Sequence, residues 1–234
     1  MSAQAASIKQ SLASVKEETP LQIIIKRFRR HKMAMIALVV MSLIVLTTLL
    51  ALVIAPFPIT QLDIDKRFLP AGTVDVDTGH TYILGTDELG RDYFSRLIYA
   101  GRISLTVAFL SVIISETTGV IVGAISGFFG GWVDGIIMRI VEFLLTVPSL
   151  PLLLIISAML LQDPEAIQIP KPILQFVGTI TLLNEGDAQK VILIVIVLAG
   201  LGWMGSAQLM RGMVLSLREQ TFVEAARSLG ASNA

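Results

Sequence analysis

Residues 33–55 constrain this chain most. They form a run of about 23 residues without one charged side chain, roughly 35 Å long as a helix at 1.5 Å per residue. It reads as a membrane span with some tilt. A cleaved signal peptide fits poorly, because some 32 residues precede the run and no small-x-small cleavage site follows it. Three more apolar stretches, at about 103–129, 136–161 and 191–210, are each long enough to cross and are bounded by Gly, Pro or charge. The stretch 173–183 is apolar but too short to cross, and reads as an interfacial or re-entrant piece. The expected fold class is an all-α, polytopic helical membrane protein with four spans.

Composition agrees. Hydrophobic residues make up 54% of the chain and charged residues only 15%, against about 25% charged in soluble domains. Lys plus Arg equals Asp plus Glu at 18 each, so bulk charge gives no pull toward nucleic acid. The absence of cysteine removes disulfides, thiolate metal sites and Cys nucleophiles together. Basic residues set the sidedness: Lys9, Lys16, Lys26, Arg27, Arg29, Arg30 and Lys32 all precede the first span, which predicts a cytoplasmic N-terminus. The expected organisation is a basic cytoplasmic segment 1–32, a first span 33–55, an external loop 56–102 and a core 103–234. The core ends in a cytoplasmic tail from Arg211 that carries Arg218 and Arg227.

Within the second span, Gly119, Gly123 and Gly127 recur every four residues, a small-residue ladder that lets another helix backbone approach closely. Glu116 lies on the same face near mid-span, where a charge costs a few kcal/mol unless paired or hydrated. It reads either as a polar group on a solute path or as a hydrogen-bonded carboxyl locking two helices. Arg139 and Glu142, one turn apart in the third span, could pair, but both lie close to its cytoplasmic end, where snorkelling is cheap, and they read as local anchors. Pro148 and Pro151 predict a kink near residues 146–151.

The letters Gly200-Leu-Gly202-Trp-Met-Gly205 match a dinucleotide fingerprint, but they lie inside an apolar span rather than between a strand and a helix, so that reading is rejected for helix packing. No GxxxxGK[ST] loop exists, so ATP is not bound by that route. The two histidines, His31 and His80, fall on opposite sides of the membrane in this topology and cannot share a metal.

Two polar motifs remain. The loop ends in Gly85-Thr86-Asp87-Glu-Leu-Gly90-Arg91-Asp92, then Tyr93-Phe-Ser95-Arg96 and Gly101-x-x-Ser-Leu105. Turn chemistry predicts permissive backbone at Gly85 and Gly90, side-chain acceptors at Thr86 or Asp87, and then a short amphipathic helix at the membrane surface before the chain turns into the second span. In the tail, Thr221-Phe-Val-Glu224 reads as a capping box and Gly230 as the residue past the end, which predicts a helix of about eight residues. Such a short helix implies a partner, because it is marginal alone in water.

At these residues the chain resembles the C-type permease subunit of bacterial dipeptide, oligopeptide and nickel ABC importers. The resemblance rests on Gly85-Thr86-Asp87-x-x-Gly90-Arg91-Asp92-x-x-Ser95-Arg96 and on Glu224-Ala225-Ala226-x-x-x-Gly230, which is similar to that family's EAA loop. Gly130-Gly-Trp-Val-Asp134 and Arg211-Gly-x-Val-Leu-Ser-Leu217 support it. The resemblance implies a permease of the bacterial inner membrane that is not an enzyme, carries no cofactor and forms half of a translocation path. Glu224, Ala225, Ala226 and Gly230 would dock on a cytoplasmic ATPase that binds ATP and Mg. A B-type sister permease and an external solute-binding protein complete the implied complex. The family continues past the EAA glycine into two further spans, so a C-terminally truncated form that does not transport by itself is expected. The family assigns no role to Glu116. The alternatives are a secondary transporter or channel using Glu116, and an assembly subunit through which no solute moves.

Overall fold

A computed structural model describes residues 19–163 and 167–230. Lys9, Lys16 and the last four residues of the expected tail lie outside the described residues. The chain divides into two units, the first ending at Leu50 and the second beginning at Ala51.

In the first unit, α1 (Pro20–Arg30) begins with Pro at its first position, and the Gln22 side chain reaches back to accept from the Thr19 N–H at 3.1 Å. It ends at His31, whose extended backbone breaks the helix and whose Nδ1 accepts from the Ala34 N–H at 3.1 Å. That acceptor caps α2 (Lys32–Leu49), the first long apolar helix.

The second unit opens with a single turn, α3 (Ala51–Ile54), and an ordered loop. The loop holds a 3-10 turn at Ile64–Lys66 and a two-residue antiparallel ribbon, β1 (Thr73–Val74) with β2 (Thr81–Tyr82), in register Thr73 with Tyr82. Then follow α4 (Tyr93–Phe129), α5 (Gly131–Thr146), α6 (Ser149–Gln162), α7 (Lys171–Thr181), α8 (Glu185–Arg218) and α9 (Thr221–Ser228).

Two expectations are corrected here. The short surface helix and the second span are one helix of 37 residues, with no turn at Gly101. At the amphipathic start of α4, Ile98 and Tyr99 are buried against Ala51 and Leu182, while Tyr93 and Leu97 stay exposed. Arg102 then donates from Nε to the Ile180 carbonyl in the last turn of α7, and that tie crosses the place where a turn is expected. The third span does break at Val147–Pro148, but α5 and α6 meet at 82°, far beyond a proline kink within one continuous helix. Among the described residues three helices are long and apolar enough to cross a membrane, and the bent pair makes a fourth if it counts as one span.

Packing centres on α4 against α8, with α7 across their loop-side ends. There Leu174, Val177, Ala188, Val191 and Ile192 are buried together with Ile103, Val107 and Leu110 around them. The 11-residue α7 is too short to cross and docks on this core rather than on lipid alone.

Candidate functional site

Three sets of polar or glycine residues sit on this scaffold. The loop set is a lock. Gly85 and Gly90 have φ of +78° and +71°, and a Cβ on either would overlap a carbonyl, of Leu69 and Asp63 respectively. Both positions therefore require glycine on two counts, conformation and space. The buried Thr86 accepts the Leu69 N–H at 2.8 Å and donates to the Lys66 carbonyl at 2.6 Å, which pins the loop's return strand to its start. Asp87 accepts the amides of Leu89 and Arg91, both at 2.9 Å, and the Arg91 Nε at 2.8 Å. Burial pushes the Asp87 carboxyl up, but the two amides and the guanidinium outweigh it and hold the group below its usual range. Arg96 approaches the same carboxylate only to 4.0 Å.

Asp92 caps α4 by accepting the Ser95 N–H at 2.7 Å. The Ser95 hydroxyl accepts the Phe57 N–H at 3.1 Å, and Phe57 stacks on Tyr82 with centroids 4.5 Å apart. Lys66 bridges Asp75 at 2.7 Å, Asp77 at 2.5 Å and Asp63 at 3.3 Å. Most of the motif thus fixes the loop onto the start of α4, with Arg96 making only the 4.0 Å approach.

The second set is the glycine seam. A Cβ on Gly119 would stand 2.6 Å from the Trp203 carbonyl, one on Gly123 would overlap the Ala207 carbonyl, and one on Gly127 would stand 2.8 Å from the Val214 Cβ. The three glycines set the distance between α4 and α8. Glu116 lies beside this seam and accepts from the Ser206 hydroxyl at 2.7 Å, so the structure joins it to α8. Gly202 faces Ser115 across the same seam, while Gly200 and Gly205 meet open space. The fingerprint letters therefore lie wholly within α8. Arg139 and Glu142 pair at 3.7 Å on an exposed face.

The third set lies at the far end of the seam. The helix break at Gly130 turns α4 into α5, and Asp134 in the first turn of α5 receives a two-point contact from Arg211 of α8, Nε and Nη2 each at 2.5 Å. The Ser126 hydroxyl of α4 donates to the same carboxylate at 2.5 Å. Arg218 adds a contact to the Phe128 carbonyl at 3.4 Å. Three helices therefore meet on one ion pair, ten residues before the tail helix begins at Thr221. Sequence reasoning quoted both strings, Gly130–Asp134 and Arg211–Leu217, without pairing them. The available signal was a single acid and a single base at the ends of otherwise apolar stretches.

The tail helix α9 has the expected eight residues. Its first amides, of Val223 and Glu224, are bonded to the Gln220 carbonyl, so the helix starts from Gln220 rather than from a Thr221 cap. Gly230 follows with φ of +89°. Glu224, Ala225, Ala226 and Phe222 are exposed, and Leu229 is 89% exposed.

Comparison with known proteins gives this arrangement its family. Residues 119–234, beginning at the first glycine of the seam, match the binding-protein-dependent transport system inner membrane component. Residues 19–71 match the N-terminal transmembrane domain of oligopeptide transport permease C. The chain belongs to this family of inner-membrane permeases. Among relatives of the permease, the oligopeptide transport system permease protein OppC of Mycobacterium tuberculosis is 29% identical over 211 residues, 90% of this chain and 62% of its own length. The dipeptide transport system permease protein DppC of Haemophilus influenzae is 36% identical over 143 residues, 61% of this chain and 48% of its own length. The glutathione transport system permease protein GsiD of Escherichia coli is 30% identical over 215 residues, 92% of this chain and 60% of its own length. The permease described here thus spans about half to three fifths of the length of these curated relatives.

Proposed function

We propose that this chain is a C-type membrane-spanning subunit of an ATP-driven ABC importer for peptides or similar small solutes, and contributes half of the translocation path. The observation that carries the reading is the placement of α9. It is a short helix with exposed Phe222, Ala225, Ala226 and Leu229, which follows directly on the end of α8 that Arg211 ties to Asp134. A helix of eight residues that exposes its apolar side is marginal without a partner. In this reading the partner is a cytoplasmic ATPase, contacted by Glu224, Ala225, Ala226 and Gly230; it binds ATP and Mg, and this chain catalyses nothing. A B-type sister permease and an external solute-binding protein complete the complex in the inner membrane, with the N-terminus cytoplasmic.

The chain's own contribution is mechanical. Displacement of α9 moves the end of α8, and the Arg211 fork on Asp134 passes that displacement to the α4–α5 corner instead of letting the helices slide. The tight glycine seam makes α4 and α8 move as one body. At the loop end, the Gly85–Arg96 lock gives that body a fixed cap.

The test is Gly230→Pro in the complete complex. The expected result is lost ATP-dependent peptide uptake with the ATPase still co-purifying. Uptake that persists without ATP and follows an ion gradient would instead favour Glu116 as an ion site, a reading that the Glu116–Ser206 bond between helices does not favour.

A further inference from the structure

The helix α1 is not used by any of these sites, yet it has the most polarised surface of the described helices. Leu21, Ile24, Ile25 and Phe28 recur at the spacing of one helical face and are 70%, 62%, 54% and 40% exposed. No residue of α1 is buried. Lys26 and Arg30 lie on the opposite face, and Arg27 and Arg29 flank the apolar stripe on either side. Ile23 is the one apolar residue off the stripe. With Lys32 this makes five cations, and no acid occurs anywhere in residues 19–55.

The apolar stripe needs a cover, and the chain fixes what lies within reach. His31 alone separates α1 from α2, the membrane-crossing helix that begins at Lys32. The headgroup layer is therefore within a residue or two of the last turn of α1. A helix with aliphatic and Phe side chains on one face and Lys and Arg on the other matches that layer twice over, because the apolar side enters the acyl boundary while the cations meet phosphate. Flanking arginines extend from the stripe into the headgroups without dragging charge inward.

We propose that α1 is an in-plane anchor that binds the anionic phospholipid surface beside the first span, with Leu21, Ile24, Ile25 and Phe28 in the lipid and Arg27, Arg29 and Arg30 on headgroup phosphates. The His31 elbow makes this possible. Its extended backbone turns the chain from the surface into the bilayer, and its Nδ1 satisfies an amide that the break would otherwise leave open. This inference does not depend on which solute the permease carries.

The experiment uses the full chain in nanodiscs. Because the chain has no cysteine, single spin labels can be placed by Ile24→Cys, Phe28→Cys and Arg30→Cys. In discs holding phosphatidylglycerol, labels at Ile24 and Phe28 should be accessible to oxygen and shielded from a water-soluble nickel chelate, with Arg30 the reverse. Replacing the anionic lipid by phosphatidylcholine, raising the salt, or replacing each cation by Gln should move the Ile24 label toward water, by about fivefold in surface partition per cation removed. Labels at Ile24 and Phe28 that are equally open to the chelate would overturn the proposal. So would labels that are immobilised and insensitive to both lipid charge and salt, which would mean that a protein surface covers the stripe.

Discussion

At Gly90 a single hydrogen atom decides whether the loop closes, since any Cβ would overlap the Asp63 carbonyl and φ is already +71°. Gly90→Ala is expected to destabilise the loop by more than about 1 kcal/mol. Gly200→Ala and Gly205→Ala, where nothing stands within 4 Å of the added carbon, should leave the melting temperature of the detergent-solubilised chain unchanged or slightly raised. Protonation acts at the same scale. The Lys66 ammonium beside Asp75 holds that carboxyl down at about 2, against its ordinary 3.8, and Asp75 and Asp77 in turn raise Lys66. A depressed acid stabilises the fold above its unfolded pKa and loses that effect as pH falls through its folded one; a raised base stabilises below 10.5 and loses it above. The loop is therefore expected to hold across neutral pH and loosen between about pH 4 and pH 2. The near-ultraviolet dichroism of Tyr82, stacked on Phe57, reads this directly, and Asp75→Asn should flatten the acid transition.

Between elements, the decisive contact is the Arg211 fork on Asp134. Arg211→Lys keeps the charge but not the two-point geometry, and Asp134→Ala leaves a guanidinium facing Ser126 without its carboxylate. The expected cost of Asp134→Ala is about 2 kcal/mol and that of Ser126→Ala about 1 kcal/mol. Urea unfolding should show the two changes to be strongly non-additive, because both remove contacts to one carboxylate. This joint also shows where the sequence stops being legible. The glycine seam could be read because close helix approach demands small residues at every fourth position, a requirement written in one segment. The break at Val147–Pro148 could be read for the same reason, since proline removes its own hydrogen bond. The Asp134–Arg211 pair could not, because its partners are 77 positions apart and nothing local to either names the other. The continuity of α4 through Gly101 escaped likewise, since glycine inside a helix is tolerated and the residues that follow it pack on the distant α7 and α8. In the loop, the turn glycines were visible, while the Thr86 bonds to Lys66 and Leu69 were a tertiary fact.

Across the whole second unit, the direction of α8 settles how the bent pair must be understood. Gly119, Gly123 and Gly127 of α4 meet Trp203, Ala207 and Val214 of α8 in rising order, and at the other end Ile103 and Val107 pack with Val191 and Ile192. The two helices are therefore parallel. A chain that leaves α4 at Phe129 and enters α8 at Glu185 beside the start of α4 has to travel back along the full length of the seam. The segments available for that return are α5, α6 and α7, so the pair bent by 82° acts as one crossing despite its break. With residues 33–55 counted as the first crossing, as the sequence predicts, the expected topology has four crossings, with the tail and the basic N-terminal segment on one side and the 56–92 loop on the other. Single cysteines in this cysteine-free chain test that count in sealed vesicles of known orientation. Arg30→Cys and Leu229→Cys are expected to react with an impermeant maleimide from one side and Val76→Cys, at a site 96% exposed, from the other. Reaction of Leu229→Cys together with Val76→Cys would make the bent pair a re-entrant hairpin, and would remove α9 from the reach of any cytoplasmic ATPase.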